Sequence, residues 1–474
     1  MGDPRGFIKV KRKDAGNRPV DERIRDFSEV EQTLNTEDRI LQASRCMDCG
    51  IPFCHWACPI NSRIPEWQDA LYQENLKESI DILQLTNDFP EFTGRICPAP
   101  CEKSCVLAIH EEAVTIRENE AAIAERSYEA GLIKAKPPQR RTGKKVAIIG
   151  SGPAGLTVAS RLNRLGHNVT IFEKDDKIGG LLRYGIPDFK LHKSVIDRRL
   201  DILKEEGIKF KTKVNVGIDI SPEELRGNYD AICLAIGAMQ PRNINVPGRE
   251  AEGIYLAMDF LTQQNRIVAG KNFSGKKRIS AKNKHVIVIG GGDTGSDCVG
   301  TSIRQGAKSV KQIEILPEPP KTRYEDNPWP FWPNTLRTSS SQQEGCKRIW
   351  GTSTKRFISK DNKIQQIETI KVKWEQDNKG KYIMTEEPGS LEIHKADLVL
   401  LALGFTQPVH EGLLENLGLK YDERGNILID DKSATNKAKI FAAGDAADGA
   451  SLVVRAIASG QDAAESIHLY LTKC

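Results

Sequence analysis

Residues 46–59, CMDCGIPFCHWACP, carry four thiols, Cys46, Cys49, Cys54 and Cys58, within thirteen positions. A second group, RICPAPCEKSC, sets Cys97, Cys101 and Cys105 four residues apart, so seven of the eleven cysteines fall in the first 105 residues. Thiols this dense can form disulfides, close around zinc or hold iron–sulfur clusters. Zinc favours closed tetrahedral sites built from paired C-x2-C knuckles, and only Cys46 and Cys49 form one. The wider gaps that follow, ending in Cys58-Pro59, look more like a ferredoxin run, in which the last Cys before Pro ligates a different cluster from the first three. On that pattern Cys46, Cys49 and Cys54 share one cluster and borrow a fourth thiol from the second group. Cys58 joins the two thiols left over in another. Seven thiols for the eight ligand positions of two four-iron clusters leave one vacancy. Zinc, or a single cluster, stays open as the alternative on spacing alone.

Two further stretches carry chemistry of a different kind. In KKVAIIGSGPAGLTVASRLNRLGHNVTIFEK (144–174) an apolar strand runs into Gly150-Ser151-Gly152-Pro153-Ala154-Gly155, then a helix, then a strand ending at Glu173. Such a unit binds a dinucleotide. The first glycine permits a tight turn, the second lets backbone approach a pyrophosphate, and the third lets helix and strand pack closely. The helix N-terminus favours the anion, and Glu173 stands where an acid accepts hydrogen bonds from the adenosine ribose. Lys174 and Gly180 are expected beside them as further contacts. The pattern recurs at 284–316, with Gly290-Gly291-Gly292-Asp293-Thr294-Gly295 followed by a helix and the strand SVKQIEIL. Two units point to two dinucleotides, a bound flavin and a nicotinamide that delivers hydride. KIFAAGDAADGASLVVRAI fits a flavin enzyme: Gly444-Asp445 suits the ribityl–phosphate region, and a helix opening near Leu452–Val453 faces the flavin ring.

The elements that must position these residues can be read coarsely. Apolar residues at Trp67, Leu71, Ile80 and Leu83 predict one helix over 64–87, and 115–131 reads as another, stopped by Gly131. KAKPPQRRTGKK is a linker. AICLAIGA (231–238) and LVLLALGF (398–405) read as crossings between two nucleotide units. The expected fold is therefore α/β: a helical iron–sulfur domain over 1–135, followed by two Rossmann-like domains. The FAD domain, 144–282 and 396–474, is interrupted by an NAD(P)H domain over 283–395.

Composition narrows the class. The 474 residues are 39% hydrophobic and 28% charged, ordinary for a soluble globular protein. A net charge of +5 gives no warrant for a nucleic-acid surface, and the basic runs at Lys9–Lys13 and Lys276–Lys284 read as a solvated tail and loop. No apolar run approaches the roughly 18 residues that spanning a bilayer needs. The N-terminus lacks the apolar core of a signal peptide, and position 6 is Gly where a myristoylation signal wants Ser or Thr. The chain is expected in the cytoplasm, where clustered thiols bind metal rather than pair. Cys233 and Cys298 read as plain buried thiols, and the eight histidines form no ligand pattern.

Taken together, CMDCGIPFCHWACP, NDFPEFTGRICPAPCEKSCVLAI, GSGPAG, GGGDTG, NPWPFWPNTLRTSSSQQEGCKR and IFAAGDAADGASLVVRAI resemble the glutamate synthase small subunit family, from about residue 20 to the C-terminus. The same module occurs in dihydropyrimidine dehydrogenase and in NADPH–ferredoxin oxidoreductase subunits. The resemblance implies an electron inlet: NADPH or NADH gives hydride to FAD, and single electrons leave through two 4Fe-4S clusters to the large subunit. There L-glutamate is made from L-glutamine and 2-oxoglutarate. By resemblance one cluster takes Cys46, Cys49, Cys54 and Cys105, and the other takes Cys58, Cys97 and Cys101. Glu120 fills the vacancy, at the position of a Gln ligand in dihydropyrimidine dehydrogenase. No acid–base residue is expected to be indispensable. Many relatives carry an Arg pair after the second strand of the nicotinamide unit, where this chain has Glu314-Ile315-Leu316. Lys321 and Arg323 could still reach a phosphate, and the family's bacterial habit favours NADPH. A differently partnered NAD(P)H:acceptor oxidoreductase and a non-enzymatic cluster or zinc scaffold are the alternatives.

Overall fold

The computed structural model describes residues 2–273, 278–378 and 380–473. Lys276 and Lys277 of the second basic run lie outside them. The fold is α/β, with a helical N-terminal unit and two parallel sheets.

The helical unit is built from Thr36–Ser44, Ile64–Tyr72, Leu76–Thr86, Pro90–Ile96 and Ile116–Glu129 around buried Trp67, Leu83 and Ile123. The single helix expected over 64–87 is two. Glu74 turns into the left-handed region at φ 57°, and Asn75 caps the second helix by accepting from Glu78 N. Nor is the Lys9–Lys13 run a free tail. Arg12 reaches Glu102 and the carbonyls of Ala113 and Val114, and Lys13 pairs with Asp38.

In chain order the strands are β1 (Lys145–Ile149), β2 (Asn168–Glu173), β3 (Lys209–Thr212), β4 (Ala231–Leu234), β5 (Ile254–Leu256), β6 (His285–Ile289) and β7 (Ser309–Ile313). They continue as β8 (Cys346–Ile349), β9 (Thr352–Lys360), β10 (Lys363–Gln376), β11 (Tyr382–Glu386), β12 (Glu392–Lys395), β13 (Leu398–Leu401) and β14 (Ile440–Ala442). The first sheet has the order β14-β4-β1-β2-β3 and the second β5-β13-β6-β7-β8, every pair parallel. Strands buried on both faces need continuous apolar runs, and VAII of β1 and VIVI of β6 supply them. A third, antiparallel sheet is centred on β10, which pairs with β9, β11 and β12.

The expected cuts at 283 and 395 divide the second sheet. β13 lies inside it, Leu400 pairing with Tyr255 on one side and Val288 on the other, so this sheet draws chain from both sides of 283–395. The crossings come just after β4 and β13. They run side by side, with Gln240 N donating to Gln407 O (3.0 Å) and Arg242 N to Gly404 O (2.9 Å).

Candidate functional site

The structure sorts the seven N-terminal thiols into two sets. Cys46 and Cys49 lie in the loop after helix Thr36–Ser44, Cys54 on the short helix Phe53–Ala57, and Cys105 ahead of a turn of 3-10 helix. All four line one cavity, walled by Phe53, Ile64, Leu107, Val114 and Ile116. Cys58, Cys97 and Cys101 form the second set, each close enough to Glu120 to feel its charge. Burial pushes Cys58 up to about 11, and Cys46 and Cys97 up to about 12. These three thiols therefore stay protonated until a metal displaces the protons. Among the described residues no three His, Cys, Asp or Glu side chains converge on a single ion. Thiols spread around a cavity suit a four-iron cluster, whose ligands stand further apart than those of one zinc ion. Backbone amides already point at sulfur, Asp48 at Cys46 and Ala99 at Cys97, the contacts that tune cluster potentials.

Glu120 is brought to the second set by a close helix crossing. Helix Pro90–Ile96 ends at Cys97, and its Gly94 packs where a Cβ would fall 2.7 Å from the Ala121 backbone. Glu120 Oε1 accepts from Thr93 Oγ1 (2.5 Å) and Asn87 Nδ2 (3.3 Å), and burial pushes the carboxyl up to about 7. Two cations that sequence reasoning missed stand near the sets. Fully buried Arg45 donates to the carbonyls of Val10, Ala113 and Glu112 and feels Cys105. Arg117 donates to Gly94 O and Arg95 O and feels Cys97. The signal was the Arg45-Cys46 adjacency, and for Arg117 its place one turn before Glu120.

Cys58 and Cys97 pack in the same apolar core as Ala154, Leu182 and Val454 on helices beside the first sheet, whereas Cys46, Cys54, Cys101 and Cys105 pack in the core of the helical unit. Two of the three thiols of the second set, Cys58 and Cys97, thus lie on the side of the first glycine loop. In that loop Gly150 has φ 100°, and a Cβ there would meet Ala235 O at 2.3 Å, while a Cβ on Gly155 would meet Gly150 O at 2.2 Å. Gly152 caps helix Pro153–Arg164 and faces open space, the cradle a pyrophosphate needs. Gly180 crosses close over it, a Cβ there falling 3.0 Å from Gly152 Cα. Glu173 is buried and accepts from Ser151 N, Ser151 Oγ and Asp175 N, whereas Lys174 is exposed. Gly444 presses onto Ala154, and burial pushes Asp445 up to about 6. Helix Val453–Thr472 starts at Leu452 with no side-chain cap, leaving its N-terminus to a ligand.

The second loop repeats this geometry. Gly290 has φ 121°, Gly292 caps helix Asp293–Arg304 and faces open space, and Asp293 is exposed. Thr294 lines the cavity between the crossing segments, along with Met239, Arg242, Leu401 and Phe405. Cys233 and Cys298 are fully buried in apolar cores.

Comparisons with known proteins agree with this architecture. A family described as pyridine nucleotide-disulphide oxidoreductase matches residues 123–225 and 144–460, and one described as dihydropyrimidine dehydrogenase domain II, 4Fe-4S cluster, matches 23–132. The glutamate synthase [NADPH] small chain of Mycobacterium tuberculosis is 47% identical over 99% of this chain and 96% of its own length. Glutamate synthase [NADH] of Schizosaccharomyces pombe is 44% identical over 98% of this chain, which spans 22% of that protein. Among solved structures, Mycobacterium tuberculosis FprA in complex with NADPH shares the fold at a TM-score of 0.56, with 19% identity over 70% of this chain and 85% of its own. No described helix is long and apolar enough to cross a membrane.

Proposed function

The chain belongs to the glutamate synthase small-chain family, and on that premise we propose how its residues divide the work of electron entry. It is an NAD(P)H-dependent oxidoreductase, the electron input of glutamate synthase. One observation carries the residue-level reading: Cys58 and Cys97, two of the three thiols of the second set, share a core with the helix that opens at the first glycine loop. FAD, when bound, supplies the conversion of a hydride into single electrons, which two 4Fe-4S clusters would carry onward.

The residues present fit these groups. Gly152, Ala154 and Gly155 give the flavin pyrophosphate backbone amides and room, Gly150, Ser151 and Pro153 shape the turn that presents them, and Gly180 closes over it. Glu173 accepts the ribose hydroxyls, and Asp445 holds the ribityl–phosphate region. The helix N-terminus at Val453 directs its positive dipole end at the flavin ring. Lys174, exposed at the rim, contacts the adenosine end. Gly290, Gly291, Gly292, Asp293 and Thr294 cradle the nicotinamide coenzyme, NADPH or NADH. Hydride transfer calls for position rather than a proton, so no side chain is assigned acid–base work. Cys46, Cys49, Cys54 and Cys105 would hold one cluster. Cys58, Cys97, Cys101 and Glu120 would hold the other, with Arg45 and Arg117 offsetting the charge of the thiolates. The partner is the large subunit, which makes L-glutamate from L-glutamine and 2-oxoglutarate, and the compartment is the cytoplasm, where thiols stay reduced.

Purified without oxygen, the chain should show flavin bands over broad iron–sulfur absorption and contain iron for two clusters. A flavin-free chain, or one holding zinc in place of iron, would overturn the assignment.

A further inference from the structure

We infer that Glu314 sets the coenzyme choice: its carboxylate accepts the 2′-hydroxyl of the adenosine ribose, so the chain takes NADH and refuses the 2′-phosphate of NADPH. This rests on the reading above that the 290–294 loop cradles the coenzyme.

Glu314 directly follows β7, and its backbone is held from both sides. Its N–H donates to Ile349 O (2.8 Å), and its carbonyl accepts from Thr352 N (3.1 Å). The side chain turns back under the glycine loop. Oε2 accepts from Gly291 N at 2.5 Å and Oε1 from Leu316 N at 3.1 Å. Only glycine at 291 permits this approach, because a Cβ there would fall 2.3 Å from Oε2.

The arrangement copies the first nucleotide site. There Glu173 closes β2, its Oε2 accepts from Ser151 N (3.2 Å) and its Oε1 from Asp175 N (2.9 Å). In both units the second residue of the loop and the residue two beyond the acid fix the two carboxylate oxygens. An acid at this place accepts from ribose hydroxyls, whereas an arginine there makes room for a 2′-phosphate. The adenosine of FAD carries no such phosphate, and Glu314 is built for the same plain adenosine. A phosphate dianion would meet a fixed carboxylate, and juxtaposed like charges are a strong means of exclusion.

The nearby guanidiniums of Arg323 and Arg348, which could reverse this, are committed elsewhere. Ile315 and Leu316, 39% and 52% exposed, stand where a guanidinium pair would. The Arg323 guanidinium donates to the carbonyls of Asn327, Phe331 and Lys103, holding the NPWPFWP segment against the thiol unit. Arg348 donates to Arg337 O and Thr338 Oγ1 and stacks on Trp350. Lys321, exposed on the loop beyond, is a flexible point charge without the bidentate fork that grips a phosphate.

The test pairs steady-state kcat/KM for NADH and NADPH, with an artificial acceptor and flavin-loaded protein, with calorimetric binding of NAD+ and NADP+. NADH and NAD+ should be preferred by roughly tenfold or more, a modest demand on like-charge exclusion. Glu314→Gln, which keeps an oxygen acceptor but drops the charge, should tighten NADP+ binding and narrow the ratio at unchanged FAD content. Equal use of both coenzymes, a preference for NADPH, or a ratio unmoved by Glu314→Gln would each overturn the inference while leaving the electron-inlet reading intact. Reduction by neither coenzyme would overturn the coenzyme-site reading and this inference with it.

Discussion

Glu120 has one oxygen, Oε1, engaged by Thr93 and Asn87 beside Cys58, Cys97 and Cys101. A carboxylate is a harder donor than thiolate, so as eighth ligand it would give its cluster a distinct potential and lability. Glu120→Ala should therefore alter the EPR signal of one cluster and slow electron exit while flavin reduction by the coenzyme continues. Two clusters with unchanged spectra and potentials would leave Glu120 a purely structural group. A second residue-scale effect is a pH dependence. His167, with its Nε2 3.0 Å from His468 Nδ1 and its Nδ1 against Thr142 Oγ1, is pushed down from 6.5 to about 4 by burial and then by His468. A depressed histidine contributes stability above its unfolded value and loses it as protons bind. The melting temperature should accordingly fall between pH 6.5 and about 4, and His167→Gln should flatten that slope; parallel profiles for the two proteins would contradict it. At this scale the glycine loops were legible from their spacing, whereas thiol spacing left zinc or a single cluster open and the full ligand sets came from the family resemblance. Arg45 and Arg117 were not legible, since an isolated charged residue in sequence does not reveal which loop it will face.

At the scale of elements, the crossing of helices Pro90–Ile96 and Ile116–Glu129 decides whether Cys97 and Glu120 meet. Gly94→Ala would drive a Cβ to 2.7 Å from the Ala121 backbone, which cannot retreat as a flexible side chain would. Overpacking of this kind costs about 1–3 kcal/mol. The variant should melt earlier and lose iron from one cluster first; wild-type melting with full iron content would show the crossing to be tolerant. Both β-loop-α-β units were readable from the sequence, because apolar runs, glycines and terminal acid fall in register. The break between the helices of 64–87 was missed although Asn75-x-x-Glu78 is an N-cap pattern, since the apolar stripe continues across it. The antiparallel sheet on β10 was also missed. Its signal was the Asp361-Asn362 turn, both residues at positive φ, between segments of alternating character. A strand such as β13 reads as a crossing until its partners on both sides are known.

Across the whole molecule, one buried network ties the N-terminal arm to both sheet units. Glu344 accepts from Arg23 Nε (2.8 Å) and Arg304 Nη2 (3.0 Å), and the Arg304 guanidinium lies 4.0 Å over the Phe189 ring. Removing one partner of a buried pair leaves uncompensated charge and costs about 3–5 kcal/mol. Glu344→Ala should lower the denaturation midpoint accordingly, and an unchanged midpoint would mean the two guanidiniums find other partners. These contacts hold the N-terminal arm against Phe189 beside the first sheet and Glu344 ahead of β8 in the second. On the function proposed above, the chain provides an inlet and a path for electrons, and the large subunit makes the glutamate. The most direct measurement is an anaerobic assay of the purified, flavin- and iron-loaded chain with reduced coenzyme, glutamine, 2-oxoglutarate and an artificial acceptor, with and without the large subunit. Acceptor reduction by the chain alone is expected, with glutamate formed only when the large subunit is added. Glutamate from the isolated chain, or no acceptor reduction by the fully loaded protein, would contradict it.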